Sequence, residues 1–167
     1  MPIEEIDRKR APQRSLEILG KEDIDRLQGI LDKNFGGEFD LKNYGVMLGS
    51  EERIWIASKD VFLFEFGRLP VNSVGINFGK MKRNEKFRLT IEGAQMVGRT
   101  AERNIAKVKD EDAEKFLRGE DIIAIENVKC DEHNFVLVKT LSGRIIGSAM
   151  IAEGLLKNFL PKSRRIR

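Results

Sequence analysis

The chain has 167 residues, 41% hydrophobic and 34% charged, with a formal net charge of +3 and a pI near 9.0. That length supports one ordinary core or two small ones, and so mild a positive balance does not by itself specify a nucleic-acid partner. A single cysteine, Cys130, excludes an internal disulfide, and no apolar run approaches the roughly 20 residues that cross a bilayer. The distribution of charge says more than its total. Residues 1–98 carry 16 basic and 16 acidic side chains, whereas residues 99–167 carry 14 and 11, so the whole excess lies in the last part of the chain.

Residues 1–14 are polar, hold Pro2, Pro12 and four basic side chains, and lack the apolar centre of a secretory signal; a loosely ordered start in a cytoplasmic protein (nuclear or nucleolar in a host with a nucleus) is expected. Ser15 then reads as a cap for a short helix with Leu16, Ile18 and Leu19. After Gly20, Ile24, Leu27, Ile30 and Leu31 recur on one face and predict a longer helix from Lys21 to about Lys33, ended by Phe35-Gly36-Gly37. Tyr44–Leu48, Ile54–Ala57 and Val61–Phe66 predict an antiparallel meander. Its rings Trp55, Phe62, Phe64 and Phe66 could stack on bases, but their strand spacing among aliphatic residues favours core packing.

A short helix is expected around Val71–Val74. The following stretch, Gly75 to Thr90, holds five basic residues against one acidic residue, Glu85. Lys86, Arg88 and Thr90 alternate with Phe87, Leu89 and Ile91, so an extended conformation puts the charges on one face and the apolar groups on the other. A helix from Glu92 to about Ala101 follows, with no flexible linker after it, so two packed pieces are expected. The remainder predicts a strand Asn104–Val108, a helix Asp110–Arg118 stopped by Gly119, and strands Ile122–Ile125, Phe135–Val138 and Ile145–Ile151 with a Ser142-Gly143 turn. The last segment, Lys157 to Arg167, carries five positive side chains and no negative one.

The parts needed for catalysis are missing from this pattern. Cys130 and the one histidine, His133, cannot by themselves make a Cys/His zinc site, and nothing arranges them as a nucleophilic pair. Gly75-x-x-x-Gly79-Lys80-Met81 is too short for a nucleotide phosphate loop and lacks its hydroxyl, and the spaced glycines of a dinucleotide fold are absent. No catalytic set, metal or cofactor is therefore expected. Phosphate binding by Lys and Arg uses what is present. Lys157, Lys162, Arg164 and Arg165, assisted by Arg144, are the candidate RNA contacts, the alternative being a merely solvated terminus. Lys80, Lys82, Arg83, Lys86 and Arg88 could meet RNA or a protein partner.

The segment Asn104 through Asp110-Glu111-Asp112-Ala113-Glu114-Lys115-Phe116-Leu117-Arg118-Gly119 to Gly147-Ser148-Ala149 resembles a PUA domain, a pseudo-barrel with a small helix after its first strand that usually binds structured RNA. Together with Gly75-x-x-Phe78-Gly79-Lys80 and Lys86-Phe87-Arg88-Leu89, it resembles the archaeal large-ribosomal-subunit biogenesis factors that pair a small α/β domain with a C-terminal PUA domain. That resemblance implies an α+β fold, with an N-terminal α/β domain holding an antiparallel sheet (1–98) and a PUA pseudo-barrel (99–167). It implies a non-catalytic protein that bridges ribosomal RNA and assembly factors, with the exosome as a further partner and no membrane contact. An RNA-targeting subunit for a modifying enzyme and a protein-interaction module without RNA affinity are the alternatives.

Overall fold

The computed structural model describes residues 16–63, 71, 73–124, 126 and 128–167. Among them the chain forms two sheets, each with its own apolar cluster. The first is a sequential antiparallel meander, β1 (Glu17–Ile18), β2 (Gly45–Leu48), β3 (Arg53–Ala57), β4 (Ile76–Lys82) and β5 (Lys86–Leu89), covered on one face by helix α1 (Lys21–Asn34). The spacing of Leu27, Ile30 and Leu31 is what buries that helix, and Glu22, Asp23 and Lys33 sit at the ends where the helix dipole favours their charges. Across from them lie Val46, Ile54, Ile56, Met81, Phe87 and Leu89, with Phe39 and Phe78 stacked at 5.3 Å between centroids.

Helix α2 (Ile91–Val97) follows β5 directly. Thr90 caps it: the hydroxyl accepts from the Gly93 amide at 3.1 Å and donates to the Asn77 carbonyl at 2.7 Å, tying the helix start to β4. The second sheet has the order β6 (Ile105–Val108), β7 (Phe135–Thr140), β8 (Ile145–Ala152) and β9 (Leu155–Asn158). β6 runs parallel to β7 and the rest are antiparallel. Helix α3 (Asp110–Leu117) follows β6 and sends Ala113 and Phe116 into a core of Val108, Val136, Val138 and Leu156. Gly119, at φ +96°, ends the helix in a left-handed conformation that a side chain would strain. The architecture is thus an N-terminal α/β domain with an antiparallel sheet followed by a β-rich C-terminal domain of PUA type.

The two pieces pack together, as the missing linker implies. Leu137 of β7 lies in the first domain's core with Ile105 and Ile145 against it. The Ser148 hydroxyl donates to the Leu89 carbonyl at 2.6 Å, the Asn104 side-chain amide donates to the Asn34 carbonyl at 2.6 Å, and the Phe35 carbonyl accepts from the amides of Glu102 and Arg103.

Several elements differ from expectation. Leu16–Leu19 is not helical: a four-residue helix repays little of its nucleation cost, whereas Glu17 and Ile18 gain partners in Leu48 and Met47 by pairing with β2. Lys59–Leu63 is a run of 3-10 turn rather than a strand, begun by a Val61 amide bond to the Ser58 carbonyl, and the Phe62 ring closes over Gly45. Trp55 lies half-buried on the outer face of β3, outside the core cluster. Residues 71, 73 and 74 are not helical, and Ile122 makes an isolated bridge to Leu156 instead of opening a strand. The expected tail begins inside a strand: Lys157 and Asn158 belong to β9 (Leu155–Asn158). Ser15, Phe64, Phe66 and residues 1–14 lie outside the described residues.

Close packing of α2 on the first sheet depends on Gly93, where an added Cβ would sit 2.1 Å from the Phe78 carbonyl oxygen. Gly93→Ala is expected to cost about 1–3 kcal/mol by forcing helix and sheet apart. The check is the midpoint of chemical denaturation, and an unchanged midpoint would show that α2 has room to move.

Candidate nucleic-acid interface

The alternation read in Lys86–Leu89 holds: Phe87 and Leu89 are buried while Lys86 and Arg88 are half-exposed on the other face. The register then adds what alternation along one strand cannot give. Arg53 on β3 pairs with Lys80 on β4, and Lys80 pairs with Arg88 on β5, so three cations form a row across three strands. Beside it Lys82 stands opposite Lys86. Like charges directly opposite one another destabilise a sheet.

Compensation for the row is incomplete. Glu51 lies 2.9 Å from Arg53 and 3.6 Å from Lys80. Among the described residues Arg88 has no carboxylate partner; its guanidinium lies over the Phe159 ring, 5.4 Å from the centroid. Burial pushes the Arg88 guanidinium below its ordinary value, and Arg53 adds to the effect. Burial likewise lowers the Lys82 ammonium, with Lys80 and Arg88 pushing the same way. Lys86 is engaged differently, donating to the His133 carbonyl across the junction at 3.1 Å. Arg83 is exposed in the β4–β5 turn, which Glu85 holds to α1 through Lys33 at 2.7 Å.

The five C-terminal candidates do not form one patch. Lys157 lies 3.3 Å from Asp121 and 3.8 Å from Glu153, and Arg144 sits on the distant β7–β8 turn, 3.9 Å from Asp110. Arg165 donates from Nε to the Leu160 carbonyl at 3.1 Å and packs over Gly119, while the Ile166 amide bonds the Leu117 carbonyl at 3.1 Å, so the last turn is docked. Arg164 crosses to the first domain and pairs with Glu92. Lys162 is exposed on the short 3-10 turn Lys162–Arg164.

Between the domains runs an open cleft of about 500 Å³. Arg53, Lys80, Arg88 and Arg164 line it, together with Phe159 and Asn77. Arg144, Lys157 and Lys162 do not line it. Three of its residues escaped the sequence reading: Arg53 stood just before a predicted strand, Asn77 carried no charge, and Phe159 was absorbed into the basic tail. The strand alternation Arg53-Ile54-Trp55-Ile56 could have found the first. Elsewhere, Cys130 is half-buried, and burial, with Asp131 and Glu132, raises its thiol. No group of three or more His, Cys, Asp or Glu among the described residues could hold a metal ion, and no described helix is long and apolar enough to cross a membrane.

The fold and this junction define the class: a small α/β domain joined to a PUA-type domain. Residues 103–166 match the family described as the methyltransferase RsmF PUA domain. The chain is 30% identical over 126 residues to ribosomal RNA small subunit methyltransferase F of Vibrio parahaemolyticus, a match covering 70% of this chain but 26% of that protein. The chain therefore spans about a quarter of that relative's length. Two solved structures share the fold: a conserved PUA domain protein from Thermoplasma acidophilum (TM-score 0.57, 13% identity, 83% of this chain and 80% of that one) and a hypothetical protein from Pyrococcus horikoshii (TM-score 0.53, 16% identity, 83% of each).

These matches correct the family expectation. The domain's sequence relatives lie with a small-subunit RNA methyltransferase, not with the large-subunit biogenesis factors. The motifs that suggested the latter, a strand–helix–glycine run and a basic alternating hairpin, belong to the PUA-type domain and to a sheet edge, and an order of domains is shared more widely than a function.

Lys82 supplies a test of charge crowding on the hairpin. With its folded-state value lowered, the ammonium costs stability below that value, and the cost is relieved as pH rises toward 10.5, the ordinary lysine value. Lys82→Gln should therefore melt at the same temperature as the wild type or higher at neutral pH, with the gap closing in the alkaline range. A lower melting temperature at neutral pH would mean that Lys82 is held by a favourable partner.

Proposed function

We propose that this protein is an RNA-binding module that works in RNA modification, holding structured RNA, ribosomal RNA foremost, for a modifying activity carried elsewhere. The match of residues 103–166 to the PUA domain of a methyltransferase carries this reading. The similarity to the ribosomal RNA methyltransferase supports it further, since 126 residues reach beyond that domain. It puts the RNA-targeting alternative ahead of a bridge to ribosome-assembly factors or the exosome.

In this reading Lys162 and Arg144, both exposed, contact phosphates directly. Lys157 and Arg164 exchange a carboxylate for a phosphate, and Arg165 positions the docked turn. Phosphate contacts of this kind give affinity that falls with salt, and Arg adds directed paired hydrogen bonds.

The test is equilibrium binding to a structured ribosomal RNA hairpin across a salt series. Log affinity should fall linearly with log salt, and Arg144→Gln with Lys162→Gln should weaken binding and flatten the slope by about 0.9 for each duplex phosphate that is no longer neutralised. Wild-type binding no tighter than that of an unrelated protein of equal charge would overturn the proposal in favour of a protein-interaction module.

A further inference from the structure

The cation row ends in a cleft with a second kind of wall. On one side stand Arg53, Lys80 and Arg88, in register and under-compensated. Toward the other lies the Phe159 ring, 40% exposed, while Asn77 stands on β4 beside the cations. Glu92 faces the same space, but Arg164 neutralises it.

We infer that this cleft holds one unstacked nucleotide of single-stranded RNA. Its phosphate sits on the Arg53–Lys80–Arg88 row and its base lies toward Phe159. The inference rests on the RNA-binding reading above and names a subsite for it. Three observations select a nucleotide over a bare anion or a peptide. The cations would satisfy a phosphate alone, but the exposed part of the Phe159 ring would then stay uncovered. A carboxylate-bearing peptide would answer the charge and leave the ring as generic apolar surface. At about 500 Å³ the cleft has room for a single nucleotide and none for a duplex. The base must therefore be out of its stack, as at a single-stranded end or a bulge, where rings and guanidinium planes recognise RNA bases.

The experiment compares the full chain's affinity for a blunt RNA hairpin with that for the same hairpin carrying a short single-stranded extension. The extension should tighten binding about tenfold, the size of one good charge-assisted contact. Arg88→Gln or Lys80→Gln should each abolish the difference between the two hairpins and lower the salt slope for the extended one by about 0.7, the single-strand value. Phe159→Leu should reduce the gain without touching the slope. Equal wild-type affinity for the two hairpins overturns the cleft inference and leaves the RNA-binding reading standing; this comparison needs no variant to fold. Binding of neither hairpin overturns the reading itself. Adenosine monophosphate alone competing at the concentration where the extended hairpin binds would also overturn the inference, assigning the cleft to a free nucleotide.

Discussion

Strand β5 is the last strand of the first sheet, and one side of it has no neighbour within that sheet. An uncovered edge invites pairing with other chains, and here the second domain covers it. Each residue along it finds a partner there or in its own core: Lys86 reaches the His133 carbonyl, Phe87 fills the core, Arg88 lies over Phe159, and the Leu89 carbonyl accepts the Ser148 hydroxyl. One of the contacts that cover the edge also holds Phe159 beside the cation row, and Glu92 holds Arg164 there. Covering a sheet edge and building a cleft are, in this molecule, one arrangement.

In the cleft, like charges are gathered at a cost to stability. A β-sheet seldom places three cations in register, because each must be desolvated in part beside its like. Glu51 relieves two of them and Arg88 is left to an aromatic ring. The free protein bears the cost of holding these charges together, so a polyanion that meets them finds donors already oriented.

Local signals carried most of the elements. Helix α1 was legible because Ile24, Leu27, Ile30 and Leu31 repeat with the helical period, and the β4–β5 hairpin because charge and apolar residues alternate. What escaped was decided by distant partners. Glu17 and Ile18 carry a helix-like pattern but pair with β2, some thirty residues on. Lys157 reads as part of a basic tail but is strand β9, fixed by pairing with β8 and by Asp121. The candidate site divided in the same way. Its hairpin cations were visible as a cluster, whereas Arg53 joined them only through cross-strand register, and the separation of Arg144 and Lys157 from the cleft is a matter of topology alone.

Leu137 belongs by sequence to the segment that matches the PUA family, yet its side chain completes the core of the domain before it. The family match begins at residue 103, while the apolar packing draws no line there, because Ile105 and Ile145 face the same earlier core. The segment that matches the family and the unit that excludes water are therefore different pieces of this chain. A PUA-type domain moved to another setting would have to bring along, or find again, a surface for Leu137. That requirement gives the small α/β domain a role independent of any ligand: it shields part of the other domain from water.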